Sequence, residues 1–514
     1  MTRFGSSIAM REENRRMAGR LLLFGALFLS AACGSGDGSG PEPNSPLSTP
    51  MALVINQDDT TMTTLRLDGK FSPVVGTLSL GSPQADAIGG VSFSLGEWIF
   101  VTNIKTNKVA AIDPIGGPSP ILESLLDANP NNPSVKVGER PTRIYRDPVD
   151  KEVLWTTNDG DPVTGLDTVA NCAKGGSVSV LHNSHLGVGG EKPRVTSIAC
   201  LSGKGEHLIA FARPPAIAQE NAYVSSKATG LISVLLPVPT AGGAVAWSEF
   251  FVQIDLCDSA KETLMGHGVC DGDATTPNHS LPAGMFWSQA TGKIYAYLSG
   301  YGSVVEIAPS TLSITQRVDI VPFPLNPNLS QAVAITPNGQ SLLLIIEDRS
   351  DPDHVVTRFA SIDLTQNPLA LTPIAFPILT DVRITQFQFT PDGRQLYLLA
   401  SNDTGGLSPA QAAHVSRDRL LVLDPSLVSL VDEVSLPQAE THAMDLWIVG
   451  PRGAGSAKGI VVTNATPGVN GTLSLIDAAS RTVTATVPVG RNPKMVTVYY
   501  AGLAADDNQA TPRW

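Results

Sequence analysis

The residues able to do chemistry fall into three groups: polar side chains near strand starts, acidic loops, and cysteines. His207 and His442, with Arg143, Gln331, Arg383 and Lys494, stand near the starts of apolar strand segments. If those strands surround one axis, these side chains ring its mouth, and a basic mouth in an acidic protein could attract an anionic small ligand. A slip of one residue in register would turn any of them away. His182, His185, His267 and His279 lie in or beside loops, and their spacing gives no zinc motif. No G-x-S-x-G, H-E-x-x-H or Walker loop occurs, so no catalytic residue is assigned and the chain leans away from an enzyme.

Asp159 and Asp161 flank Gly160, and Asp167 follows them. Asp271 and Asp273 flank Gly272, after Asp258, and residues 347–353 hold a third acidic cluster. Hard cations take several carboxylate and carbonyl oxygens, so calcium is the one cofactor these turns suggest. None completes an EF-hand loop, which needs Glu at the twelfth position. The same residues also suit solvated polar turns.

There are 5 cysteines. Cys33 stands apart, and an even number remains, which in an exported protein favours disulfides. Proximity in sequence pairs Cys172 with Cys200 and Cys257 with Cys270. The lack of C-x-x-C excludes haem attachment and zinc ribbons.

The elements that must position these groups begin after an address. Arg11, Arg15, Arg16 and Arg20 precede an apolar run at 21–29, too short to span a bilayer and suited to a signal peptide. Ser30-Ala31-Ala32-Cys33 follows. This resembles the bacterial lipoprotein signal. The resemblance implies that residues 1–32 are removed, that Cys33 is acylated, and that the membrane is a partner through that lipid. Gly34 after the cysteine implies, by the same resemblance, the outer membrane, with the body on its periplasmic or its outer side. Residues 33–50 are rich in Gly, Ser and Pro and read as a tether.

In the 514 residues, 47 Gly and 39 Pro call for many turns rather than long helices. Charged residues at 16% with hydrophobic residues at 42% exclude wholesale disorder. The net charge of −12 excludes nucleic acid as a partner.

Several strands end in a branched apolar residue and Asp: Leu67-Asp68, Ile112-Asp113, Ile362-Asp363, Leu423-Asp424 and Ile476-Asp477. Weaker echoes stand at 180–182, 235–236 and 306–308, which makes the spacing about 58 residues, a repeat signature. Each period orders an apolar strand, a turn such as Thr336-Pro337-Asn338-Gly339, a second strand, a polar loop, the strand ending in Asp, and a fourth strand. Four strands per period around a ring is propeller logic. Residues 460–493, with Val461-Val462-Thr463-Asn464, Leu475-Ile476-Asp477 and Gly490-Arg491-Asn492-Pro493, resemble the YVTN-type propeller repeat, and 100–113 is a second copy.

The expected fold is therefore all-β: one β-propeller over 51–501, followed by a polar tail at 502–514. It has eight four-stranded blades, with seven as the alternative, and the strand at 495–500 completes the first blade. The loop between second and third strands shares a face with the link to the next blade. The long insertions (125–139, 158–175, 256–281, 347–355 and 402–417) are assigned to that face, where recognition usually resides. Three functions follow. The first is a lipid-anchored binding or scaffold module whose long-loop face takes a protein, glycan or small molecule. The second, which the resemblance to lactonase-like propellers implies, is a hydrolase at the channel mouth. The third is a structural or adhesive surface protein.

Overall fold

Short runs of β-branched and aliphatic residues, separated by tight turns, pair with the strand before and after them. In the computed structural model they do so throughout residues 50–500. The described residues there exclude short internal segments, chiefly 68–75, 81–86, 114–122, 125–133, 183–193, 271–276 and 449–456. Cys33, Asp271, Asp273 and the tail at 502–514 lie outside the described residues.

Among the described residues the strands form eight antiparallel blade sheets and one two-stranded hairpin; the blades follow chain order except the first, which the last strand completes, and the fourth, whose outer strand comes after the hairpin. The chain is an eight-bladed β-propeller, and the seven-bladed alternative is excluded. The inner strands of blades 1 to 8 are Pro493–Tyr500, Ile88–Phe93, Pro141–Arg146, His207–Ala212, Pro282–Ser288, Leu329–Ile335, Arg383–Phe389 and Glu440–Ile448. Blade 1 is the composite one. Pro493–Tyr500 pairs with Pro50–Asn56, setting Val496 opposite Val54 and Val498 opposite Ala52.

The packing repeats with the same count. Eight apolar clusters each lie between two neighbouring blades, and the one joining blade 8 to blade 1 gathers Val461, Leu473, Val54, Val496 and Val498. A strand sends alternate side chains to opposite faces. In Ser341–Asp348 of blade 6, Leu342 and Leu344 pack toward blade 5, while Leu343 and Ile345 pack toward blade 7. Both faces are buried, so the middle strands read as unbroken apolar runs.

The repeat residues have local duties. Asn158 ends a second strand, and its buried amide donates to Ser177 and Ser179 on the third strand at 2.9 and 3.0 Å. Asn464 reaches Ser474 in the same way at 2.9 Å. Asp477 accepts the backbone N–H of Ser480 at 2.7 Å, and Asp363 that of Thr365 at 2.9 Å, closing the turn into the fourth strand.

Two expectations about loops change. Glu123 pairs with Asp113, and Lys136 with Lys108, on one edge of the same third strand. Residues 125–133 therefore interrupt the outer strand of blade 2, and only 137–140 links it to blade 3. On the opposite face, a hairpin of Pro237–Pro239 and Val245–Trp247 precedes the fourth strand of blade 4, Val252–Asp255.

Candidate functional site

Inner strands start on the face that carries the links and the loops between second and third strands. The channel-mouth candidates come from there, and the structure separates them. Arg143 forms an ion pair with Glu206, which also accepts from Lys227 at 2.9 Å. Arg383 donates to the carbonyl oxygens of Asp403 and Gly405 at 2.7 and 3.0 Å, and pairs with Glu347 at 3.3 Å. Carboxylates on neighbouring elements thus take up both arginines, and the expected basic mouth is corrected to one of paired charges. Gln331 accepts from the Tyr297 hydroxyl at 2.7 Å. Lys494 is exposed at the start of the blade 1 inner strand, and the His442 side chain lies outside the described residues.

His207 is buried, with Nδ1 3.0 Å from the Ser225 carbonyl oxygen and 3.2 Å from the Ser226 hydroxyl. Burial pushes its pKa down to about 4, so the ring is neutral at physiological pH and holds the blade together.

The acidic-loop candidates also part company. Asp159 is 9% exposed, and Thr142 donates to its Oδ1 at 2.9 Å. Its backbone N–H donates to the Arg140 carbonyl, and its carbonyl accepts from Gly205, tying the links on either side of blade 3 together. Gly160 follows with φ +75°, and a Cβ there would meet Gly176 N at 2.4 Å, so only glycine fits. Asp161 accepts the backbone N–H groups of Val163 and Thr164, an Asx-turn. Asp167 is buried and accepts from the Ser177 hydroxyl. Among the described residues no three metal-ligating side chains gather, so Asp159, Asp161 and Asp167 do not form the expected calcium site. Each carboxylate is spent on the local chain instead.

What the structure does bring together is Asp159, Arg143 and Glu206, at the seam of blades 3 and 4. Burial, with the Glu206 charge nearby, pushes the Asp159 pKa up to about 7. Glu206 is also desolvated, but the hydrogen bond from Lys227 and the charge of Arg143 outweigh this and hold its carboxyl below the usual range. A carboxyl that titrates near neutrality, an ionised carboxylate and a guanidinium therefore share one site. Glu206 stands in the link just before the blade 4 inner strand, where no sequence motif marks it.

The long loops are built as rigid bodies. Both expected disulfides, Cys172–Cys200 and Cys257–Cys270, are present. Between Cys257 and Cys270 runs helix α1 (Ser259–Leu264), N-capped by Asp258. Buried Glu262 on α1 accepts from the Tyr301 hydroxyl, from the His279 backbone N–H at 2.8 Å and from His279 Nδ1 at 3.0 Å. The His279 ring stacks on His267 with centroids 3.8 Å apart. Helix α2 (Pro409–His414) in blade 7 carries a capping box of Ser408 and Gln411. Gln411 also donates to the Asp351 carbonyl at 2.6 Å, binding this loop to that of blade 6. Six-residue helices leave no periodic trace in sequence, but Asp258 and the Ser408–Gln411 pair were their legible signals.

The loop tips are apolar. Val163 is 88% exposed on the loop that carries Cys172, while Leu264 at 70% and Val269 at 73% lie between Cys257 and Cys270.

No protein-family model matches the chain, and no curated protein matches it. Among solved structures, it is similar to the dihydro-heme d1 dehydrogenase NirN in complex with DHE, at 12% identity and a TM-score of 0.54 over 89% of this chain and 76% of that one. The likeness is one of fold. Looser matches are AztD from Citrobacter koseri (13% identity, TM-score 0.48, 88% of this chain and 98% of that one) and a putative 6-phosphogluconolactonase from Bacteroides fragilis (16%, 0.44, 77% and 98%).

Proposed function

We propose that this propeller is an exported, lipid-anchored binding module that holds a protein partner on its long-loop face. The observation that carries this reading is the exposure of Val163, Leu264 and Val269 on loops that disulfides hold in place. Bare aliphatic tips cost solubility, and a rigid loop presents them without paying much ordering entropy on contact. Two disulfides favour an oxidising compartment, and the signal sequence with Cys33 supplies the route and the anchor. No described helix is long and apolar enough to cross a membrane.

Photo-crosslinking in native envelopes tests this. A crosslinking residue at Val163 or Leu264 is expected to trap the same protein, and one at Thr311, on the opposite face, to trap none. Equal adducts from both faces, or none from either, would remove the proposal.

A second reading rests on the seam of Asp159, Arg143 and Glu206. A buried acid that keeps its proton near neutrality beside an ionised carboxylate is the arrangement general acid–base hydrolysis uses. If this site turns over a lactone, Asp159→Asn is expected to reduce the rate at least a hundredfold, within the range proton transfer contributes. Absence of lactone hydrolysis by the wild-type chain would end this reading.

A further inference from the structure

A cavity of about 310 Å³ opens on the opposite face, between blades 5 and 6. Blade 5 contributes Thr291, Lys293, Glu306 and Gln316, and the turn after the third strand of blade 6 contributes Gln366 and Asn367.

Glu306 is 1% exposed. Its carboxylate pairs with Lys293 and accepts from the Thr315 hydroxyl at 2.5 Å, the Tyr295 hydroxyl at 3.2 Å and the Gln316 amide at 3.3 Å. These donors keep it ionised despite burial.

The fold does not ask for this charge. In blade 5, Tyr295 pairs across the ladder with Glu306. The same position sets Trp155 opposite Val180, Tyr223 opposite Val234, and Tyr397 opposite Val422. Elsewhere it holds Ala111, Leu475 and Ser361. Six of the seven other blades thus place a small or apolar residue where blade 5 buries a carboxylate, and blade 1 holds the partly exposed Arg66 there, opposite Met51. A buried ion pair is generally no more stable than apolar side chains of similar volume. Blade 5 carries the pair where the wall of a cavity would use it.

The lining also limits the ligand. Lys293 balances Glu306, and among the described residues no other charged side chain lines the cavity, so it offers no net charge to an ion. Among the described residues no aromatic ring lines it, so an aromatic ligand has nothing to stack on. Gln316 is taken up by Glu306 and the Leu369 N–H, Gln366 donates to Asp363, and Thr291 shares a hydrogen bond with the Tyr295 hydroxyl. The Asn367 amide, the Gln366 side-chain oxygen and the Lys293 ammonium are left to donate to and accept from ligand hydroxyl groups. The volume stands at the small end of the ~300–1,000 Å³ range of ligand sites.

We propose that this cavity binds a neutral polyhydroxylated molecule of monosaccharide size, anchored by Lys293, which Glu306 holds in place, and by the turn at Gln366 and Asn367. Saturation-transfer NMR on the purified full chain tests it, with methyl α-glucoside, N-acetylglucosamine and myo-inositol as probes and phosphate and glycine as charged competitors. Transfer to at least one of the three neutral probes is expected. Binding should weaken at least tenfold in Gln366→Ala/Asn367→Ala, whose side chains lie on an exposed turn. It should weaken equally in Glu306→Val/Lys293→Met, which restores the apolar ladder of the other blades and should keep the fold. No transfer to any neutral probe, tighter binding of phosphate or glycine, or undiminished binding in the exposed-turn variant would overturn it.

Discussion

Truncation after Asn492 is expected to leave a chain with no cooperative unfolding transition. The missing segment, Pro493–Tyr500, is the inner strand of blade 1 and pairs with Pro50–Asn56. Its loss would expose one ladder edge at the channel and open the cluster that joins blade 8 to blade 1. Val496 and Val498 are both buried there, and each contributes about 1.5–3 kcal/mol by burial. Together with their partners Val54 and Ala52, this rivals the ~5–15 kcal/mol that holds an ordinary domain folded. Val496→Ala/Val498→Ala provides a graded version, losing roughly 3 kcal/mol at about 0.8 kcal/mol per methyl group. Urea unfolding followed by circular dichroism measures both. A truncated chain with the midpoint of the full chain would show that the ring does not depend on this strand.

Asp159→Asn is expected to stabilise the protein at pH 8 and to leave it unchanged at pH 4. The Asp159 carboxyl rises from 3.8 in the unfolded chain to about 7 in the folded one, because it is buried and because Glu206 lies near. Between those values the folded chain holds a proton that the unfolded chain has released. Stability therefore falls as pH rises through the window, and is lost in full above about pH 7. Ionising the buried group costs roughly 4 kcal/mol at most, and Asn, which still accepts from Thr142, avoids it. Glu220 acts in the same direction over a longer range, since burial and the neighbouring Asp147 raise it to about 9. Glu206, Glu262 and Glu306 act in the opposite direction. Each is held below its usual range, so their stabilisation is lost as pH falls below about 4.5. The wild-type optimum is then expected near about pH 5. Melting curves of both proteins from pH 4 to 9 check this, and parallel profiles would show that Asp159 is not the buried acid.

The repeat was legible because its signals are local. Asp at strand ends closes turns within three residues, as Asp477 does with Ser480. Asn at the ends of second strands bonds to the adjacent third strand, as Asn158 does. The disulfide partners were legible for the same reason, being close in sequence. The outer strand of blade 2 and the hairpin in blade 4 were not, because strand pairing across an insertion leaves no periodic mark. Helices α1 and α2 were too short to show amphipathic spacing.

The site was less legible, for a physical reason. Residue type alone identified Arg143 and Arg383 as cations and Asp159 as an acid. Whether a charge is free depends on what faces it from another strand. Glu206 is 63 residues from Arg143, and Glu347 is 36 residues from Arg383. Those partners turned a basic mouth into paired charges and Asp159 from a cation ligand into a buried acid. Glu306 looked like one more strand residue until the ladder set it against the small or apolar residues of six other blades. By itself the sequence determined the ring, the faces of most of its loops and the cysteine partners, all consequences of order along the chain. Only the tertiary structure decided which charges are spent, which carboxyls are buried and where a cavity opens, because those depend on neighbours that the chain brings together from different blades.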